Sequence, residues 1–208
     1  MYFANQQVLS LYASSRTTGI VVDSGHGRTH VVPIYEGFAI PHATFTLPTS
    51  GQTFTGDLFS RLDAQSGFAR SLTDDNITWD LEQARGIKET YCKVSSDYDG
   101  TLKVIREGGH VDKTRKYKLP GTHKELVIEV EALIGVPETL FQPLKTSGER
   151  EYDCLHKGLH EAAFKCDPEI RASLFRNIVL AGGTTMLEGF KERVQKEMDA
   201  IYTSAVNP

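Results

Sequence analysis

Cysteine is scarce in this chain. Its 208 residues hold three, Cys92, Cys154 and Cys166, and no two form a Cys-x-x-Cys pair. So sparse and odd a set speaks against a disulfide framework or a zinc site and for reduced thiols in a cytoplasm. No apolar run reaches the roughly 18 residues of a membrane span. The N-terminus lacks a basic region, and Asn5-Gln6-Gln7 interrupts its apolar content, so no signal peptide is read there. An excess of positive charge is missing too. The 23 Lys+Arg against 27 Asp+Glu leave −4, a balance that does not favour nucleic acid. The nucleotide fingerprints Gly-x-x-x-x-Gly-Lys-Ser/Thr and Gly-x-Gly-x-x-Gly are absent, as are regular repeats, low-complexity tracts and any clear linker.

What is present is a chain 39% hydrophobic and 24% charged, suited to a globular core in one domain or two small lobes. Ala4, Val8, Leu11 and Tyr12 recur at helical spacing and predict a helix over 2–14. Strands are expected near 17–23, 28–35 and 37–41 as a meander, and a short helix over 51–60. A longer helix is predicted from Asp74-Asp75-Asn76, with Ile77, Leu81, Ala84, Ile87, Tyr91 and Val94 as its inner stripe. Alternation predicts strands over 101–106, 113–119 and 125–130, with a turn at Leu119-Pro120-Gly121. A helix near 151–166 buries Leu155, Leu159 and Ala162, and Asp167-Pro168 opens another. Ile178-Val179-Leu180 reads as a buried strand, followed through Gly182-Gly183-Thr184-Thr185 by a final helix with Leu187, Phe190, Val194 and Met198 inward.

The stretch Asp23-Ser24-Gly25-His26-Gly27-Arg28-Thr29-His30 lies between the apolar runs 19–22 and 31–35. It reads as strand, acidic Gly-rich turn, strand. Such a turn can gather N–H groups around phosphate oxygens, with a carboxylate at its mouth for Mg²⁺. Alone, the same residues describe a tight hairpin whose glycines serve only geometry. Gly182, Gly183 and Thr184, between a strand and an expected helix start, suit an anion or simple capping and close packing. Lys88 and Glu89 fall on a helix face with Glu82 and Arg85, where charges are ordinarily just solvated.

The loop resembles the second phosphate loop of the actin family, and the similarity continues in order along the chain. It takes in Val8 to Ser14, Arg16 to Ile20, Pro33 to Gly37, Pro41-His42-Ala43, Ile87-Lys88-Glu89 with Cys92, Leu140-Phe141-Gln142-Pro143, Lys165-Cys166-Asp167 and Asn177 to Met186. It is weakest over Asp97 to Glu131. The resemblance implies an α/β protein, half of an actin-like (ribonuclease H-like) ATPase fold with a mixed sheet, matching actin's subdomains 3 and 4. Residues 1–49 and 144–208 would form one lobe, and 50–143 an inserted smaller one. It also implies roles: Asp23 on the metal side, Gln6 and His30 positioning the attacking water, and Ser24, Gly25, Gly27, Lys88, Glu89, Gly182, Gly183 and Met186 around a nucleotide.

Three departures qualify those roles. His26 replaces a carboxylate of the pattern, and imidazole is a poor Mg²⁺ ligand. Leu187 replaces an aromatic residue beside the base. Leu144-Lys145-Thr146-Ser147-Gly148 replaces an apolar plug between filament strands with groups that bury badly. One acidic Gly-rich loop also leaves a triphosphate clamp half made, and stabilisation of charge is weak in an open, wet site. The expectation is a truncated actin-related protein, cytoplasmic and cytoskeletal, self-assembling, with a vestigial nucleotide site, negligible hydrolysis and no bound cofactor. The alternatives are an Mg-ATP-binding module completed by a second chain or copy, and a regulator that binds conventional actin.

Overall fold

The computed structural model describes residues 4–64, 81–108, 112–118, 125–142 and 154–206, the last four by backbone alone. The chain divides into two compact units. One is Met1–Gly51 with Leu140–Met186 and Val194–Pro208; the other is Gln52–Thr139 with Leu187–Arg193.

The first unit is built on a five-stranded mixed sheet. Strand β1 (Gly19–Ser24) pairs antiparallel with β2 (Thr29–Tyr35), which also pairs with β3 (Phe38–Ala39) and β4 (Phe45–Leu47). The apolar runs flanking the Gly-rich turn bury nearly completely, with Ile20, Val21, Val22, Val31 and Ile34 all at 0% exposure. β-branched residues suit such a two-sided burial. Helix α1 (Gln6–Ala13) covers one face: Leu11 packs with Val21, Val32 and Ile34, flanked by Val8, Val179 and Ala181. The other face meets the helix Leu155–Phe164, whose Gly158 lies against the Phe45 ring. Helix, sheet and helix thus form three layers. Strand β7 (Ile178–Ala181) lies parallel to β1 in register Asp23↔Ala181.

The second unit holds α2 (from Gly51 at its border to Ala64), α3 (Leu81–Tyr91), α4 (Tyr98–Glu107), the hairpin β5 (Thr114–Lys118) and β6 (Glu125–Glu129), and α5 (Val130–Glu138). Phe54, Leu58 and Leu62 repeat every fourth residue on α2 and are buried, as are Ala84 and Ile87 on α3. Leu187–Arg193, expected with the first lobe, belongs here. Val94 N–H donates to Glu188 O (2.8 Å), and Arg193 forms a buried pair with Glu138. Helices α6 (Leu155–Phe164) and α7 (Pro168–Phe175) belong to the first unit; α8 (Phe190–Val206) runs from the second into the first.

Several elements differ from the sequence reading. Residues 101–106 are helix, not strand. Asp97 caps α4 by accepting from Gly100 N (3.2 Å), and Gly108 ends it at φ +83°. Those two caps outweigh the alternation between them. Helix α5 went unpredicted because Ala132 to Glu138 is buried all round, which erases the amphipathic period. The 51–60 helix continues to Ala64. Strand β7 is half-buried along its length, not fully buried. After it comes a short 3₁₀ turn, Gly183–Met186, and the last helix begins only at Phe190. The helix start at Asp74, the turn at Leu119-Pro120-Gly121 and the segment Leu144–Gly148 lie outside the described residues. Among the described residues, no helix is long and apolar enough to cross a membrane.

Candidate functional site

Register places the first-unit candidates. Asp23 lies directly opposite His30 across β1 and β2, and His30 opposite Thr46 on β4. Directly opposed residues share a face, so the three form a row on the face that α1 covers. Asp23 is 5% exposed. His30 is half-buried, with Nδ1 3.1 Å from Thr46 Oγ1.

The side chain that reaches Asp23 is that of Gln7, which the sequence reading did not single out. Gln7 Nε2 donates to Asp23 Oδ2 at 2.8 Å. Gln6 is exposed, and its side chain makes no hydrogen bond among the described residues. Helix phase separates the two neighbouring glutamines. Gln7 stands four residues before Leu11, the residue α1 buries, and so shares its stripe. Gln6 is turned about 100° away. The N-terminus of α1 is fixed by Asn5, whose Oδ1 accepts from Gln7 N (2.9 Å) and Val8 N (3.4 Å).

Ser24 is fully buried and its hydroxyl is used internally. Thr29 Oγ1 donates to Thr49 O (2.7 Å), so Ser24 Oγ must be the donor to Thr29 Oγ1 (2.7 Å). The turn itself is pinned from outside. Gly25 O accepts from Gly51 N (3.0 Å) and Thr184 Oγ1 (3.0 Å), and His26 O accepts from Ser50 Oγ (2.7 Å). Gly25 N donates to Arg28 O (3.3 Å), which closes the hairpin. Neither Gly25 nor Gly27 needs a left-handed backbone, and a Cβ on either would meet open space. His26, Gly27 and Arg28 are exposed. The glycine that geometry requires is Gly182. It has φ +88°, and a Cβ there would collide with Ser24 O and stand 2.9 Å from Asp23 Oδ1. Gly183 and Met186 flank it in the 3₁₀ turn; Met186 is 82% exposed. A 3₁₀ turn this short offers none of the helix dipole expected at this position.

Lys88 and Glu89 belong to the second unit. Lys88, 8% exposed, donates from Nζ to Thr55 Oγ1 at 3.0 Å. Burial lowers its pKa, opposed by Glu89 and reinforced by Arg85. Glu89 is exposed and accepts from Arg85 Nε at 2.9 Å, an ordinary i,i+4 surface pair. Burial pushes the Cys92 thiol up to about 12, with Lys88 opposing the shift.

A resident Mg²⁺ requires oxygen acceptors aimed at it. At Asp23 one carboxylate oxygen already takes an amide donor, the Ser24 hydroxyl turns inward, and His26 is a nitrogen base on an exposed turn. Among the described residues no three His, Cys, Asp or Glu side chains gather as a metal site. The donor set does not suit the cation.

A mixed sheet between helices, with an acidic hairpin at the end of its central strands, defines an α/β protein. The family model described as Actin matches residues 1–207. The chain belongs to the actin family.

Proposed function

We propose that this chain is a structural, self-assembling actin-like unit of the cytoplasmic cytoskeleton, with a vestigial nucleotide site and negligible ATP hydrolysis. The observation that carries the reading is the Gln7 amide on Asp23 Oδ2, which gives the metal-side carboxylate an internal partner. Phosphoryl transfer relies on positioned water, metal and charge. Here the matching glutamine, Gln6, is exposed. Self-association is supported by exposed apolar side chains of the first unit: Leu9 (52%) and Tyr12 (47%) on α1, and Phe38 (79%) beyond β2. Strand β7 adds a half-buried edge.

Sedimentation velocity without nucleotide and in excess Mg-ATP tests this. Oligomers or polymers indifferent to Mg-ATP are expected. Assembly only with Mg-ATP would overturn the reading in favour of a second one, an ATP-binding module completed by another copy or a separate chain. That second reading draws on Asp23 opposite His30 and on Gly182 packed against the same loop, a framework still assembled.

A further inference from the structure

Asp23 poses a physical question whatever the chain does. A carboxylate 5% exposed needs strong partners, because a buried charge without them is costly. No cationic side chain pairs with it among the described residues. Its partner is the Gln7 amide at 2.8 Å.

We propose that Gln7 is the built-in substitute for a cation at Asp23, making this carboxylate a structural tie between α1 and the end of β1. The inference deepens the vestigial-site reading and rests on it for the identity of the site. Gln7 is constrained at both ends. Its backbone N–H is held by Asn5, and its position four residues before Leu11 sets the side chain on the stripe packed against the sheet. The second carboxylate oxygen, Oδ1, lies beside Gly182, near enough that a Cβ there would stand 2.9 Å away. An amide N–H₂ is a donor with no charge to be screened. It repels a cation's approach to the oxygen that it occupies, and it works at any metal concentration. Replacing it by a carboxylate would turn a donor–acceptor pair into two acceptors at hydrogen-bonding separation, an arrangement that seeks a divalent cation.

Thermal unfolding of the full chain in EDTA and in millimolar Mn²⁺ without nucleotide tests the proposal, for the natural chain, Gln7→Ala and Gln7→Glu. The natural chain is expected to melt at the same temperature in both. Gln7→Ala is expected to melt roughly 2–4 °C lower or more in EDTA, since Asp23 loses a buried partner. Gln7→Glu is expected to fall further in EDTA and to rise again with Mn²⁺. The proposal is overturned if Mn²⁺ alone stabilises the natural chain, if Gln7→Ala melts unchanged, or if a folded Gln7→Glu ignores Mn²⁺. Should Gln7→Glu not fold, the other two chains decide. ATP-dependent sedimentation would sink the functional reading irrespective of these melts, and a Mn²⁺ response of the natural chain would sink the Gln7 proposal irrespective of sedimentation.

Discussion

Two carboxylates of this chain are almost equally buried, Asp23 at 5% and Glu138 at 4%, yet they are held in different ways. Glu138, in the second unit, receives a bidentate guanidinium: Arg193 Nη2 reaches Oε1 at 2.7 Å and Nη1 reaches Oε2 at 2.9 Å. Arg193 Nη1 also donates to Ser95 O at 2.6 Å, so one side chain ties Leu187–Arg193 to two other segments. Asp23, in the first unit, receives a neutral amide. The Glu138 pair is what a permanent structural charge looks like, with planar donors matched to planar acceptors. The Asp23 carboxylate instead receives a single neutral donor, a weaker hold than two charge-assisted bonds.

Breaking the stronger pair gives the largest effect. Arg193→Met leaves Glu138 buried without its cation and is expected to cost about 3–5 kcal/mol in urea unfolding. Pairing it with Glu138→Leu should recover most of that, because a buried ion pair and a packed apolar pair are often close in energy. Recovery well short of this would mean that the Ser95 bond matters as much as the ion pair. Gln7→Ala is expected to cost less, about 1–3 kcal/mol, since a neutral donor is lost and Asp23 Oδ2 is left unsatisfied. A loss as large as that of Arg193→Met would erase the contrast between the two sites.

Lys88 sharpens the comparison from the cationic side. Its folded pKa is lowered by burial, below the 10.5 of an ordinary lysine. Between the folded value and 10.5, the unfolded chain binds more protons, so this group adds stability as pH rises through that window. Raised pKa values for Tyr98 and Tyr117 oppose it, because there the unfolded chain loses its protons first. The comparison is therefore the natural chain against Lys88→Met, by urea unfolding from neutral pH to pH ~10. The Lys88 contribution should appear as a rise that the variant lacks. The smallest effect belongs to Glu89→Ala. Its pair with Arg85 is solvated, and the same unfolding experiment is expected to show little or no change.

Much of the first unit was legible in the sequence. The runs 19–22 and 31–35 around a Gly-rich turn fold into β1 and β2, and Asp167-Pro168 opens a helix as its residue types require. The helix of the 98–107 segment was legible too, in Asp97 and Gly108, but the alternation of 101–106 pointed the other way. Buried stretches such as 132–138 carry no period to read. For the candidate site, the loop and Gly182 could be found from their residue types. Gln7 had a signal that pointed to it, the same Val8–Leu11 spacing that predicted α1, because a residue four before Leu11 must share its face.

By itself the sequence determined the family, through a resemblance that runs in order along the whole chain, and the strand–turn–strand unit with the acidic residue at its end, which follow from local residue types and spacing. Only the tertiary structure decided what that acid touches. The choice between Gln6 and Gln7 is a rotation of about 100° about a helix axis. It is set by Leu11 packing on Val21, Val32 and Ile34, strands that pair with one another elsewhere in the chain. The inward turn of Ser24 is likewise fixed by Thr29, whose own hydroxyl is held by Thr49 O twenty residues beyond Thr29.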